Sequence, residues 1–202
     1  MPQGQIFGMI LAGGLSRRMG QEKSLMDLAG QPVLAHVIAR FGPQTSGLVL
    51  NANGGADRFA RFGLPVIADV AEFAGAGPLA GILAGLEYAA GRSLSHIACV
   101  PCDAPFLPKN LVAALLAGNY SGKICCAAGP RGIEPLFALW PVAQAEELRQ
   151  LLRAGLRKVQ EALAALPCQS IAFAGSPGAP DPFTNLNRPQ DAQAAHAALT
   201  QA

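Results

Sequence analysis

The side chains with most chemistry to offer crowd into one stretch, Leu11-Ala-Gly-Gly-Leu-Ser-Arg-Arg-Met-Gly-Gln-Glu-Lys23. Gly13 and Gly14 carry no Cβ, so the backbone can turn tightly and aim its N–H groups at an anion. Arg17 and Arg18 offer forks that match phosphate oxygens, and Lys23 adds a mobile point charge. Together they describe a cradle for phosphates. It is not a Walker A loop, because Glu22 precedes Lys23 and no Gly-Lys-Ser/Thr closes it. Nor does the glycine spacing fit the dinucleotide fingerprint. Without its cations the stretch would read as a plain Gly-rich turn. Ser16 suits a turn or a phosphate hydrogen bond better than a nucleophile's role.

Carboxylates and amides recur where apolar runs end. Asp103 follows Ile97-Ala-Cys-Val100 and stands between Pro101 and Pro105, a preset oxygen donor for a hard cation. Magnesium fits such a donor, since it takes one or two carboxylates and completes its shell with phosphates and water. The same carboxylate could instead cap the helix that starts near Lys109. Asp69 closes Pro65-Val-Ile-Ala68, and on its own reads equally as a turn residue. Asn51 closes Leu48-Val-Leu50, and its amide suits a base edge or a ribose hydroxyl. Gly77 and Gly81, in Gly77-Pro-Leu-Ala-Gly81, permit close backbone approach to a base or sugar, or equally to a neighbouring strand.

Other features point away from chemistry. Cys99-Val-Pro-Cys102 has the spacing of a redox pair or half a zinc site. On a strand, residues three apart face opposite sides, and thioredoxin-type pairs need a helix N-terminus. No second cysteine or histidine pair completes a zinc set. Cys125-Cys126 reads as packing, and His36, His96 and His196 have no serine or cysteine nucleophile beside them.

The elements that must position these groups alternate. Strands are expected at Ile6–Leu11, Leu48–Leu50, Pro65–Ala68, Ile97–Val100 and Lys123–Ala128, with helices at Val33–Phe41, Ala56–Phe62 and Lys109–Ala117. Another helix runs out of the Gly75–Gly81 segment to about Ala90, with Pro78 near its first turn. The second half reads as a strand at Leu136–Trp140, a helix at Val142–Leu152, another reaching Leu166, a short strand at Ser170–Phe173 and a terminal helix from Pro189. This βαβ succession predicts an α/β fold: one domain over 1–202, doubly wound, with a mostly parallel sheet covered by helices on both faces. The Gly-rich loop, Asn51, Asp69 and Asp103 all fall at strand C-termini, so one rim can collect them. A charged fraction of 14% fits a sheet buried on both faces, and a net charge of +2 is too small for nucleic-acid binding by bulk electrostatics. No stretch reads as a signal or membrane span, and an odd five cysteines suit the cytoplasm.

At the motifs themselves the chain resembles a known family. L-A-G-G-x-S-x-R-M-G-x-x-K is similar to the opening motif of the molybdenum cofactor guanylyltransferases, and Pro101-Cys-Asp-Ala-Pro-Phe-Leu-Pro108 resembles their metal-binding aspartate segment. The resemblance runs from Ile10 to about Asp191, with Gln190 where a glutamate is common. It implies a Rossmann-like nucleotidyltransferase fold and transfer of GMP from GTP to molybdenum-bound molybdopterin, with release of pyrophosphate. Arg18, Lys23 and Asp103 would be catalytic, with Asp103 holding Mg2+. Leu11, Ala12, Gly13, Gly14, Lys23, Asn51, Asp69, Gly77, Gly81 and Asp103 would frame the nucleotide. Glu134-Pro-Leu-Phe-Ala-Leu139, Ala154-Gly-Leu-Arg-Lys158 and Phe183-Thr-Asn-Leu-Asn187-Arg-Pro resemble segments that face the pterin. Arg157, Asn185 and Asn187 are its expected contacts, the two asparagines sharing one side of an extended segment. Those amides could equally tie the last helix to the sheet, and Arg157 and Lys158 could be a solvated face. About 1–128 would serve the nucleotide and about 129–202 the pterin. Other cofactor-biosynthesis proteins and apo-molybdoenzymes or their chaperones are implied partners. The reaction needs no strong general base, because an acceptor phosphate is already ionised; alignment and charge neutralisation suffice. The rival readings are a cytidylyltransferase for the same pterin, which usually shows L-A-A-G, a sugar-1-phosphate nucleotidyltransferase, and a non-catalytic cofactor carrier.

Overall fold

A computed structural model describes residues 6–13, 23–118, 122–175, 178–187 and 189–200. The first strand, β1 (Phe7–Leu11), is a short apolar run buried along nearly its whole length. After it come β2 (Asp27–Leu28) and β3 (Gln31–Pro32), a small hairpin that the sequence pattern did not announce. Its turn is left-handed at both Ala29 (φ 54°) and Gly30 (φ 82°), which matches the twist of the flanking strands. The backbone N–H of Gly30 donates to Asp27 Oδ1 at 3.2 Å. Helix α1 (Val33–Phe41) follows as expected, and His36 Nε2 lies 2.7 Å from Leu28 O, tying the helix to the hairpin.

The chain continues through β4 (Leu48–Asn51), β5 (Val66–Ile67), α2 (Pro78–Ala90), β6 (His96–Pro101), α3 (Leu111–Gly118), β7 (Ile124–Gly129) and β8 (Gly132–Pro141). It ends with α4 (Ala145–Arg153), α5 (Val159–Ala165), β9 (Cys168–Ala172) and α6 (Pro189–Thr200). Several boundaries shift by one or two residues, and three expectations change in kind or extent. Ala56–Phe62 is 3₁₀ rather than α-helical, a tighter winding that ends at left-handed Gly63. Val142–Gln144 is also a 3₁₀ turn, so α4 begins only at Ala145. β8 spans ten residues instead of five, because its first half turns straight back along β7.

Seven strands form one sheet in the order β5-β4-β1-β6-β8-β7-β9. β8 runs against both β6 and β7, and every other pairing is parallel. The exception has a simple cause: a direct turn between β7 and β8 leaves no room for the crossover that a parallel pair requires. Alternate residues along each strand divide between two cores. Ile10, Leu50, Val100 and Cys125 face α1 and α3. Met9, Val49, Cys99 and Cys126 face α2, α4 and α5. Helices therefore cover both faces, as expected of a doubly wound sheet.

Helix α2 is buried from Leu79 to Leu86, so it has no solvent stripe there. Its glycines let it lie close to the sheet: a Cβ on Gly85 would fall 2.4 Å from Met9 Sδ. On the opposite flank Glu87 pairs with Arg149, and Arg153 grips Glu72 at 2.7 and 3.1 Å, joining α4 to the segment before α2. No helix among the described residues is long and apolar enough to cross a membrane.

Winding begins at β1, proceeds outward through β4 and β5, then returns to place β6 on the other side of β1. That reversal opens a crevice beyond the strand C-termini. The far end of the rim is closed by Phe183, fully buried edge-on against Phe137 and Phe173 at 4.9 and 5.6 Å. A Cβ on Gly129 would meet the Phe183 ring at 2.5 Å, and a packed ring has nowhere to move. Gly129→Ala is expected to cost about 1–3 kcal/mol of stability, measured as a lower midpoint in urea unfolding.

Candidate active site at the strand C-termini

The last residues of four strands stand side by side. Leu11 pairs with Asn51 on one side and with Pro101 on the other, and Asn51 pairs onward with Ile67. Beyond the strands the backbones remain stitched. Ala12 N–H donates to Asn51 O at 2.8 Å, and Cys102 N–H donates to Leu11 O at 3.1 Å. Leu11, Ala12, Gly13, Asn51, Asp69 and Asp103 thus lie at or just past neighbouring strand ends, on the rim foreseen for them. Arg18 and Gly14 lie outside the described residues, as does the side chain of Lys23.

Asn51 and Asp69 form a braced pair. Asn51 Nδ2 donates to Asp69 Oδ1 at 3.1 Å and, more weakly, to Ile67 O at 3.4 Å. Asn51 is only 3% exposed, so its amide works from below the rim while the Asp69 carboxylate stands nearer its surface. Two glycines flank the Asn51 oxygen. A Cβ on Gly81 would fall 2.1 Å from Asn51 Oδ1, whereas one on Gly13 would sit at an ordinary 3.5 Å. Gly81 is therefore where α2 makes room for Asn51, which is the helix–strand packing role. Gly77 differs: it is exposed, has φ 84°, and starts α2 with Pro78 in the first turn. The N-terminus of α2 meets the rim, with the positive end of its dipole there.

Asn53 also holds Asp69, through Nδ2 to Oδ2 at 2.6 Å. No motif had singled it out. The available signal was its place two residues beyond Asn51, which on extended chain returns a side chain to the same side.

Asp103 connects the two halves of the chain. Its carbonyl accepts the N–H of Leu186 at 2.9 Å, so the Asn185-Leu-Asn187 segment lies against the loop after β6. Leu186 is buried with Leu28, Val33, Phe106 and Ala195. Since Leu28 lies only a few residues past Lys23, the segments carrying Lys23 and Asp103 enter the same small cluster. Asn185 Oδ1 is buried with no hydrogen-bond partner among the described residues, an acceptor whose desolvation they leave uncompensated. Asn187 is exposed, and its N–H donates to Asp191 Oδ2 at 2.9 Å.

Arg157 is placed differently from a free phosphate ligand. Its Nη1 donates to Leu152 O and Leu156 O, both at 2.8 Å, closing the C-terminal end of α4. Its backbone nevertheless comes near the nucleotide side, for a Cβ on Gly77 would lie 3.8 Å from Arg157 O. Lys158 pairs with Glu161 at 2.9 Å. At the β7–β8 turn Arg131 binds Asp181 at 3.1 Å and Phe183 O at 3.0 Å. Burial, helped by the nearby Asp181 charge, pushes the Glu134 carboxyl up, with Arg131 pulling the other way. Burial likewise raises the Cys99 thiol, the reverse of what a redox pair needs.

Among the described residues no three His, Cys, Asp or Glu side chains converge as a metal cage. A rim carboxylate such as that of Asp103 fits an ion that draws most of its ligands from a triphosphate and water.

An open α/β sheet with its polar groups gathered beyond the carboxyl ends of β1, β4 and β6 defines a nucleotide-binding class of protein. Known proteins sharpen that. Residues 8–167 match the MobA-like NTP transferase domain. A protein of Mesorhizobium japonicum named molybdenum cofactor guanylyltransferase is 45% identical over 197 residues, covering 94% of each chain. One of the same name from a Bradyrhizobium species is 43% identical, covering 91% of this chain and 88% of its own. The solved molybdopterin-guanine dinucleotide biosynthesis protein A from Archaeoglobus fulgidus shares the fold with TM-score 0.76 at 23% identity, over 98% of this chain and all of that one. The chain belongs to the MobA-like NTP transferases, in the molybdenum cofactor guanylyltransferase family.

The Asn51–Gly81 contact yields a direct test. Gly81→Ala must displace the Asn51 side chain and so break its bond to Asp69. We expect nucleotide affinity to fall roughly tenfold, the scale of one hydrogen bond to a charged group, as read by isothermal titration with GTP.

Proposed function

We propose that the protein transfers the guanylate of GTP to the phosphate of molybdenum-bound molybdopterin, yielding the guanine dinucleotide cofactor and pyrophosphate. The names of relatives matching over more than nine-tenths of the chain support this reading. The observation that carries it is the bond from Leu186 N–H to the Asp103 carbonyl. It puts a candidate metal ligand beside the asparagine segment assigned to the second substrate, as a group transfer between two ligands demands.

In this reading residues from about 1–128 hold the nucleotide and those from about 129–202 the pterin. Leu11, Ala12, Gly13 and Gly14 line the nucleotide with backbone, and Gly77 leaves the α2 N-terminus open to its negative charge. Asp69 accepts hydrogen bonds from the nucleoside, with Asn51 bracing it from behind. Arg18 and Lys23 take the β- and γ-phosphates and steady departing pyrophosphate. Asp103 would hold Mg2+, which neutralises triphosphate charge when bound. Asn185, whose oxygen has no partner among the described residues, turns its amide to the pterin, and Asn187 continues that side. Arg157 reaches the substrate phosphate with guanidinium nitrogens other than the Nη1 given to the Leu152 and Leu156 carbonyls. With both substrates aligned, the attacking phosphate oxygen is already anionic and no side chain need remove a proton. The product would pass to other cofactor-biosynthesis proteins, apo-molybdoenzymes or their chaperones. Five cysteines outside any disulfide support a reducing cytoplasm as the setting for this work.

Incubation with GTP, magnesium and molybdenum-loaded molybdopterin should release pyrophosphate. Asp103→Ala should lower that rate by about a hundredfold or more, the scale of losing one transition-state charge contact, with GTP binding retained. Metal-independent absence of turnover in the parent protein would point to the carrier reading instead. Nucleotide choice is tested at Gly13, where an added Cβ meets only ordinary contacts within the protein. Gly13→Ala is expected to shift the GTP-to-CTP preference toward CTP by roughly tenfold, the scale of a small steric change in a binding pocket. An unchanged ratio removes the idea that the bare Cα makes room for a purine.

A further inference from the structure

We infer that Asn53 is a positioning residue for the nucleotide site, acting by clamping the Asp69 carboxylate. The inference rests on the assignment of Asp69 to the nucleotide. Beyond β4 the chain stays extended, because Ala52 N–H donates to Ile67 O at 2.9 Å and carries the β4–β5 pairing one residue further. Asn53 therefore faces the same way as Asn51 and meets the segment that follows β5. Its carboxamide engages Asp69 twice. Nδ2 donates to Asp69 Oδ2 at 2.6 Å, and Oδ1 accepts the Asp69 backbone N–H at 3.0 Å.

A single hydrogen bond would leave the carboxylate free to swing about it. Two contacts from one planar amide, to the side chain and backbone of the same residue, fix its orientation. Asn51 then takes the other oxygen, so Oδ1 and Oδ2 are each held by a different amide. Both bonds involve an ionised acceptor, which makes them stronger than neutral pairs. A carboxylate offers about four acceptor sites, so two well-formed bonds leave capacity for donors of a nucleoside, such as ribose hydroxyls or base N–H groups.

The clamp is itself anchored. Arg58 Nη2 donates to Asn53 O at 2.7 Å, and the guanidinium lies over the Phe59 ring at 4.8 Å, with that ring fully buried. Gly54 turns the chain at φ 86°, and a Cβ there would press on Arg58 Nη1 at 3.0 Å. Thus the 3₁₀ segment after β4, which otherwise only bridges two strands, supports the far side of the nucleotide rim.

The test is steady-state kinetics on the full chain with GTP varied, using Asn53→Ala, Asp69→Ala and the double variant. Asn53→Ala is expected to raise KM for GTP about tenfold with kcat within about twofold, because a ground-state contact loses its orientation. In the Asp69→Ala background it should add less than about a twofold change, since the group it acts through is gone. Asn53→Asp keeps the shape but sets a second carboxylate against Asp69; it should raise KM more than alanine does, and it serves if the alanine variant fails to fold. Parental KM in both Asn53 variants, with KM raised in Asp69→Ala, overturns the clamp alone. Parental KM in Asp69→Ala overturns the clamp together with the role of Asp69. Losses that multiply in the double variant also overturn it, because Asn53 would then act elsewhere.

Discussion

The structure depends on the register that ends β4, β1 and β6 at one level. Leu11 has Asn51 on one side and Pro101 on the other, and the bonds Ala12 N–H to Asn51 O and Cys102 N–H to Leu11 O hold the strands together one step beyond the sheet. A slip of one residue in any of the three would turn its polar terminus into a core or its apolar neighbour into the crevice. The two cores penalise that strongly, for Ile10 and Met9 belong to opposite layers and both are fully buried. Hydrophobic burial thus fixes the height at which the chemistry-bearing residues appear.

That constraint explains a buried amide. Asn51 is one of few polar residues taken into the interior, and it is tolerated because its donors find Asp69 and Ile67 O. The space for it comes from α2, whose Gly81 faces it. Helix, strand and loop meet there through one side chain, and the carboxylate at the surface inherits its orientation from that contact.

The second half of the chain reaches the same rim by another route. The β7–β8 hairpin brings Gly129 under Phe183, and Arg131 fastens Asp181 and the Phe183 carbonyl. With Phe183 seated, Leu186 enters the cluster formed by the hairpin β2–β3 and α6, and its N–H reaches Asp103. A buried aromatic, a short aliphatic cluster and the Arg131–Asp181 pair together deliver the asparagine segment.

Much was legible from the letters alone. Apolar runs of the right length marked β1, β4 and β6, and the helical periods marked α1 and α2, because these elements bury surfaces whose pattern is local. Residues at strand ends were therefore placed correctly on one rim. The tiny hairpin at 27–32 escaped, since two-residue strands have no periodicity, and 56–62 wound as 3₁₀ rather than α-helix, ending at left-handed Gly63. Likewise Gly81 could have served either packing or ligand approach, and only the position of Asn51 decided for packing. For Arg157 the sequence left a phosphate contact and a solvated face open, and only the fold shows its Nη1 donating to Leu152 O and Leu156 O. Sequence alone determined which groups stand at the ends of which strands, because burial is written in residue type. Tertiary structure alone decided which of those groups hold one another, because hydrogen-bond partners distant in the chain meet only after the sheet has closed around them.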